Sequence, residues 1–268
     1  MEAHRMLKRR IIPKLQLKAR KIGNHSKLVL VTSIKFKEYI EIGDPVSQAK
    51  IFQDQAADEL LFVDIDASLD NRMHLLVDII RSAAEEIFMP LAVGGGVKTI
   101  EDFRLLLLNG ADKVSVNSAA VRNPDLLNNA ANIFGAQCVV LSIDVKKDNH
   151  GIYKVWTHCG TQETGLDPVE WAKEGEKRGA GEILLTSIDR DGTRTGLETE
   201  IILKVAESVT IPVIASGGCG LASHFVDGFS KGNADAVSAG TYFCFKDENL
   251  MQVRSQVKNA SIPIRLHL

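Results

Sequence analysis

The chain has 268 residues, 45% hydrophobic and 25% charged, the balance of a soluble folded protein. Its 32 Lys+Arg against 34 Asp+Glu leave a formal charge of -2, which supplies no basic field to hold nucleic acid phosphates. No run reaches the roughly 18 uninterrupted apolar residues of a membrane span, and residues 1–5 carry charges without the apolar core of a signal peptide.

In chain order, short apolar runs at 11–15, 60–63, 90–93, 113–116, 138–143, 183–185, 212–215 and 236–239 predict eight strands. Amphipathic stretches at 46–55, 73–86, 100–108, 125–133, 169–178, 201–209 and 224–230 predict helices between them. Strands too short and too apolar to alternate in polarity, separated by helices, imply a parallel sheet buried on both faces. Eight such units in one domain spanning 1–268 match the size of an α/β (β/α)8 TIM barrel. An open doubly wound sheet is the competing fold, and an internal repeat weighs against it. The string 59–66 resembles 182–189 at a separation of 182 - 59 = 123, 90–96 resembles 212–218 at 212 - 90 = 122, and 111–115 resembles 234–238 at 234 - 111 = 123. Three matches in one order at nearly one spacing predict a barrel built from two homologous half-barrels.

Loops that follow the strands form the active face of such a barrel. Gly94-Gly95-Gly96 and Ser216-Gly217-Gly218 both fall there, each after a Pro-led strand and before a helix, where backbone N–H groups can approach an anion. Each has a partner at the next strand end, Asn117-Ser118 and Ala239-Gly240. Two anion sites related by the repeat imply a substrate with a phosphate at each end. Between them, strands end in Asp64 and Asp66, in Asp144, and in Asp189 and Asp191. Asp64 and Asp66 read equally well as helix caps paired with nearby cations and as catalytic groups. Asp144, after the wholly apolar Val139-Val140-Leu141, reads as a general acid or base. Its counterpart in the first half is Gln16, at 144 - 16 = 128, which takes no proton at neutral pH.

The strand starts carry Arg10, Glu59, Lys113 and Glu182, two cations and two anions that can close a salt-bridged ring at the bottom of the barrel. The seven histidines form no HxH or HxxH pair, and His74, His150, His158 and His224 read as surface residues. The cysteines, Cys138, Cys159, Cys219 and Cys244, lack metal-ligand spacing and read as reduced thiols of a cytoplasmic protein. No metal and no organic cofactor is expected.

Long strings, among them 93–96, 110–115, 178–193 and 214–218, resemble the cyclase subunit family of imidazole glycerol phosphate synthase, HisF, and the likeness extends over about residues 7 to 266. That resemblance implies a heterodimer with a HisH-like glutaminase docked under the barrel, with ammonia passing through the barrel to a phosphorylated, ribulosyl-bearing substrate at the top. It also implies that Arg10, Glu59, Lys113 and Glu182 gate the ammonia channel, that Asp112 faces the glutaminase, and that Asp144 is one catalytic aspartate. Phosphate sites are implied at Gly95 and Gly96 with Asn117 and Ser118, and at Asp191 and Gly192 with Ser216, Gly217, Gly218, Ala239 and Gly240. Gln16 stands where the family has its other catalytic aspartate, the loop 19–33 is longer than usual, and Thr32 replaces a lysine that closes the loop. These departures resemble the WbuZ or second-HisF branch, which is associated with amidation of sugars for surface polysaccharide.

Three roles follow. The first is an ammonia-conducting synthase subunit in sugar amidation, working beside a sugar amidotransferase. The second is a histidine-pathway cyclase that forms imidazole glycerol phosphate and AICAR from PRFAR and ammonia. The third is a phosphate-binding scaffold without catalysis.

Overall fold

A computed structural model describes residues 8–23, 25–67, 72–245 and 249–265. The reading of residues 1–5, and both ends of the resemblance at 7 and 266, fall outside them. The chain opens with β1 (Arg10–Ile22), β2 (His25–Ile34) and β3 (Glu38–Gly43). There follow α1 (Pro45–Asp54), β4 (Leu60–Asp64), α2 (Met73–Ala84), β5 (Leu91–Gly94), α3 (Ile100–Leu108), β6 (Lys113–Val116), α4 (Ser118–Arg122) and α5 (Asp125–Phe134). The second half holds β7 (Val139–Lys147), β8 (Tyr153–Thr157), β9 (Gln162–Glu163), α6 (Pro168–Lys177), β10 (Glu182–Ser187), α7 (Thr199–Ser208), β11 (Val213–Ser216), α8 (Ala222–Ser230), β12 (Ala236–Ala239), α9 (Thr241–Phe245) and α10 (Leu250–Asn259).

Parallel pairing runs β1, β4, β5, β6, β7, β10, β11, β12 and back to β1, so eight parallel strands close into a barrel with helices outside. The predicted strands are these eight. Their shortness has a plain cause: each is buried from both sides, and Leu91–Gly94, Val213–Ser216 and Ala236–Ala239 expose nothing. Local signals set the helix starts. Thr99 accepts from the backbone N–H of Asp102 at 3.2 Å and Asp102 accepts from the N–H of Thr99 at 2.8 Å, a reciprocal cap at α3. Asp44 caps α1 ahead of Pro45, and Asp167 caps α6 ahead of Pro168.

The repeat persists in three dimensions. β6 and β12 are offset by 236 - 113 = 123, and α4 and α9 by 241 - 118 = 123. Gln16 pairs with Val63 and Asp144 with Thr186, again 186 - 63 = 123 apart, so Gln16 and Asp144 hold equivalent places in the two halves.

One expectation is overturned. Residues 19–33 are not a loop, because β1 continues to Ile22, turns, and pairs antiparallel with β2 from Ile22 opposite His25 to Gln16 opposite Val31. β2 then pairs with β3, so a three-stranded extension stands over the barrel mouth. β7 grows in the same way into β8 and β9.

Inside, the barrel is layered. On β1 the inward residues are Arg10, Ile12, Lys14 and Gln16, while Ile11, Leu15 and Leu17 face the helices in the main core. Ile12, Leu61, Ala92, Val140, Leu184, Ile214 and Ala236 make a separate small apolar cluster across the barrel's middle. It divides the bottom of the barrel from the top.

Candidate active site

At the bottom, the four charges form a closed ring. Arg10 Nη1 donates to Glu59 Oε2 at 2.6 Å and Arg10 Nη2 to Glu182, while Lys113 Nζ lies 2.9 Å from both Glu59 Oε2 and Glu182 Oε2. Burial opposes the Arg10 charge, but the two carboxylates outweigh it and raise its pKa. Asp112, exposed beside Lys113, accepts from the backbone N–H of Leu91 at 2.8 Å. The same end of the barrel carries exposed Phe88 before β5 and exposed Leu108 at the end of α3.

At the top, one cleft is lined by Gln16, Gly95, Gly96, Asn117, Ser118 and Asp144 from the predicted set. Gly95 has φ +108 and packs against the backbone of Asp64 where any Cβ would stand, so only glycine fits the turn. Asp191 and Ser216 join the cleft from behind, through Ser33 and Lys14. Gly192 lies under the hairpin, with the carbonyl of Ser33 where its side chain would be, and Gly240 abuts the carbonyl of Lys14. Gly217, Gly218 and Ala239 do not line this cleft. Gly217 packs against the carbonyl of Ser187 and Gly218 against that of Gly196.

Asp144 keeps some accessible surface at the cleft floor, yet protein atoms crowd it on every side. That desolvation pushes its carboxyl up to about 7, against the pull of Lys14 and of Asn117, whose Nδ2 donates to Asp144 Oδ2 at 2.7 Å. A carboxyl poised near neutrality is suited to proton transfer. Gln16 is equally placed but differently engaged: its Nε2 donates to Ser33 Oγ at 2.9 Å, and Ser33 Oγ donates to Asp191 Oδ2 at 2.5 Å. The amide holds the hairpin to the barrel.

The open reading of Asp64 and Asp66 resolves toward pairing. Arg72 donates to Asp64 Oδ1 at 2.6 Å and also to Asp66, and Lys18 reaches Asp66 Oδ2 at 2.7 Å. Asp189 accepts from the Lys147 backbone at 3.0 Å.

Several residues of the cleft lie outside the set that the sequence singled out. Lys98 and Arg122 make the end that holds Gly95, Gly96 and Ser118 the cationic end of the cleft, and His158 lines it too and is therefore no bystander on the surface. Lys14 sits on the floor, 7% exposed, with Nζ 3.0 Å from Ser216 Oγ and 3.5 Å from Asp191 Oδ1. A signal was available for Lys14: it is the one charged residue in the apolar run 11–15. Phe36 and Tyr39 of the hairpin roof the cleft, with the Tyr39 ring 4.2 Å from Lys18 Nζ. Among the described residues no group of three or more His, Cys, Asp or Glu side chains is placed to hold a metal ion.

Residues 10–249 match the family model described as "Histidine biosynthesis protein". The chain belongs to that family. It is similar to an imidazole glycerol phosphate synthase subunit HisF of Methanococcus vannielii, 41% identical over 281 residues, covering 97% of this chain and 100% of the relative. It is also similar to a Prochlorococcus marinus protein with the provisional name imidazole glycerol phosphate synthase subunit hisF2. There the identity is 48% over 261 residues, covering 97% of this chain and 99% of that one. The chain is thus a HisF-like synthase subunit over almost its whole length, and both relatives carry the name of the histidine-pathway enzyme. No helix among the described residues is long and apolar enough to cross a membrane.

Proposed function

We propose that this chain receives ammonia at the bottom of its barrel from a glutaminase partner and uses it at the top on a phosphorylated substrate. The observation that carries the reading is the alignment of two sites on one axis. A closed ring of Arg10, Glu59, Lys113 and Glu182 stands below a thin apolar layer, and the cleft with Asp144 stands above it. Neutral ammonia crosses such a layer more readily than ammonium, whose desolvation is costly. Exposed Phe88 and Leu108 beside Asp112 give the partner an apolar footing next to the gate. At the top, Lys98, Arg122, Asn117 and Ser118 beside the Gly95-Gly96 turn hold the phosphate.

The names of the relatives favour the histidine-pathway reaction, formation of imidazole glycerol phosphate from the bis-phosphorylated ribulosyl substrate. Sugar amidation for surface polysaccharide remains the second reading, and one observation favours it: Gln16, fastened to Ser33, replaces the second carboxylate of the acid–base pair. Expression of this chain, with its cognate glutaminase, in a strain lacking the histidine cyclase separates the two. Growth without histidine supports the cyclase. Failure to grow, with soluble protein present, supports amidation. Size-exclusion chromatography of the co-expressed pair should give one shared peak, and separate peaks at all concentrations contradict the partner.

A further inference from the structure

Lys14 is a buried cation that faces two ways, pairing with Asp191 Oδ1 at 3.5 Å and donating to Ser216 Oγ at 3.0 Å. It stands directly above the apolar layer of Ile12, Leu61 and Leu184, at an inward position whose neighbour one layer below, Ile12, is aliphatic. The carboxylate it approaches, Asp191, is already hydrogen-bonded by Ser33 Oγ at 2.5 Å. Its Nζ nevertheless faces the cleft, 3.0 Å from Ser216 Oγ. The ionisable groups around it are Asp144 on β7, Asp191 after β10 and the buried thiol of Cys219 after β11. Gln16, one inward position further up β1, is bound to Ser33 and exchanges no proton.

We propose that Lys14 is a catalytic residue of this site, the second ionisable group that works opposite Asp144 when ammonia adds to a carbonyl carbon of the phosphorylated substrate. The proposal rests on the reading of the chain as an ammonia-using synthase subunit. The lone pair of ammonia forms the new C–N bond, and the carbonyl π pair moves to oxygen, which takes a proton from Lys14 Nζ. The proton lost by nitrogen goes to the Asp144 carboxylate, leaving a carbinolamine. Return of a proton from Asp144 to Lys14 through solvent restores both groups, so that one carbonyl and one ammonia give one carbinolamine with nothing oxidised or reduced. Lys14 lies on the side from which ammonia enters and already acts on Asp144, whose titration near 7, set mainly by burial, it opposes.

The test uses the full chain, wild type, Lys14→Met and Lys14→Arg, with inorganic phosphate binding by calorimetry as the check that the cleft is folded. The first readout, the Asp144 carboxyl titration followed by carbon NMR, does not depend on the substrate. Lys14→Met should shift it upward by about one unit or more, while Lys14→Arg should leave it in place. The second is kcat with free ammonia and the bis-phosphorylated ribulosyl substrate. Both variants should lose about 10²-fold or more, because arginine keeps the charge but does not give up its proton. A kcat within about threefold of wild type in Lys14→Met overturns the proposal, since proton transfer by a positioned group contributes far more than that. If wild type itself fails to turn this substrate over, the reading of the reaction falls. The titration then decides on Lys14: no shift in Lys14→Met overturns the proposal, and an upward shift supports it.

Discussion

Substitution of Glu59 by glutamine tests whether the four bottom charges act as a unit. Glu59 is 2% exposed and accepts from Arg10 at 2.6 Å and from Lys113 at 2.9 and 3.0 Å. The amide keeps the shape and leaves two cations sharing Glu182. Each lost attraction is worth about 4 kcal/mol at a charge separation near 4 Å and an effective dielectric of 20. Relief from desolvating one carboxylate offsets several kcal/mol of that total, leaving a net loss of roughly 2–4 kcal/mol. For a chain of this size the apparent melting temperature should fall by about 5–15 °C at a fixed scan rate. Adding Lys113→Met restores charge balance around Arg10 and Glu182. The double variant should therefore be more stable than the sum of the two single changes by about 1–3 kcal/mol. Melts of all four proteins at one pH supply the cycle. A Glu59→Gln protein that melts with wild type, or strictly additive losses, would show that the ring is not coupled.

Three further outcomes follow from the cleft. Asp144 has its carboxyl raised from the ordinary 3.8 to about 7, so ionising it opposes folding above that pH and not below about 4. Asp144→Asn should therefore raise the melting temperature by a few degrees at pH 8, on the order of 1 kcal/mol or more, and the gain should vanish as pH falls toward 4. Turnover that uses Asp144 as base should rise with pH through about 7, and a flat profile from pH 5 to 9 speaks against it. Gly192 has φ +69 with the Ser33 carbonyl against it, so Gly192→Ala should loosen the hairpin at a cost of about 1–3 kcal/mol, seen as faster amide exchange across 25–34.

The barrel was legible because eight short apolar runs and a repeat of about 123 residues are long-range patterns that no local feature disturbs. The Gln16–Asp144 equivalence was legible for the same reason, and the register of β1 with β4 and of β7 with β10 reproduces it. The hairpin was missed although Gly23-Asn24 between two runs of alternating residues is a two-residue turn signal, because the polar Lys18, Arg20, Lys21 and Lys27 along it masked the strands. Lys14 was passed over because its strand reads as core, and only closure of the barrel turns that position toward the cleft. Lys98, Arg122 and His158 come from three separate loops and helices, so no spacing in the sequence brings them together.

The most direct test of an ammonia-using cyclase is kcat with the bis-phosphorylated ribulosyl substrate and free ammonia, for wild type and for Gln16→Asp. With the amide at position 16 fastened to Ser33 and Asp144 titrating near 7, wild type should turn over measurably. Gln16→Asp, placed beside Ser33 and Asp191, should change the rate by no more than about tenfold if Lys14 supplies the second proton. Absence of turnover in both proteins, with phosphate still bound in the cleft, would contradict the account and leave sugar amidation as the reaction to pursue.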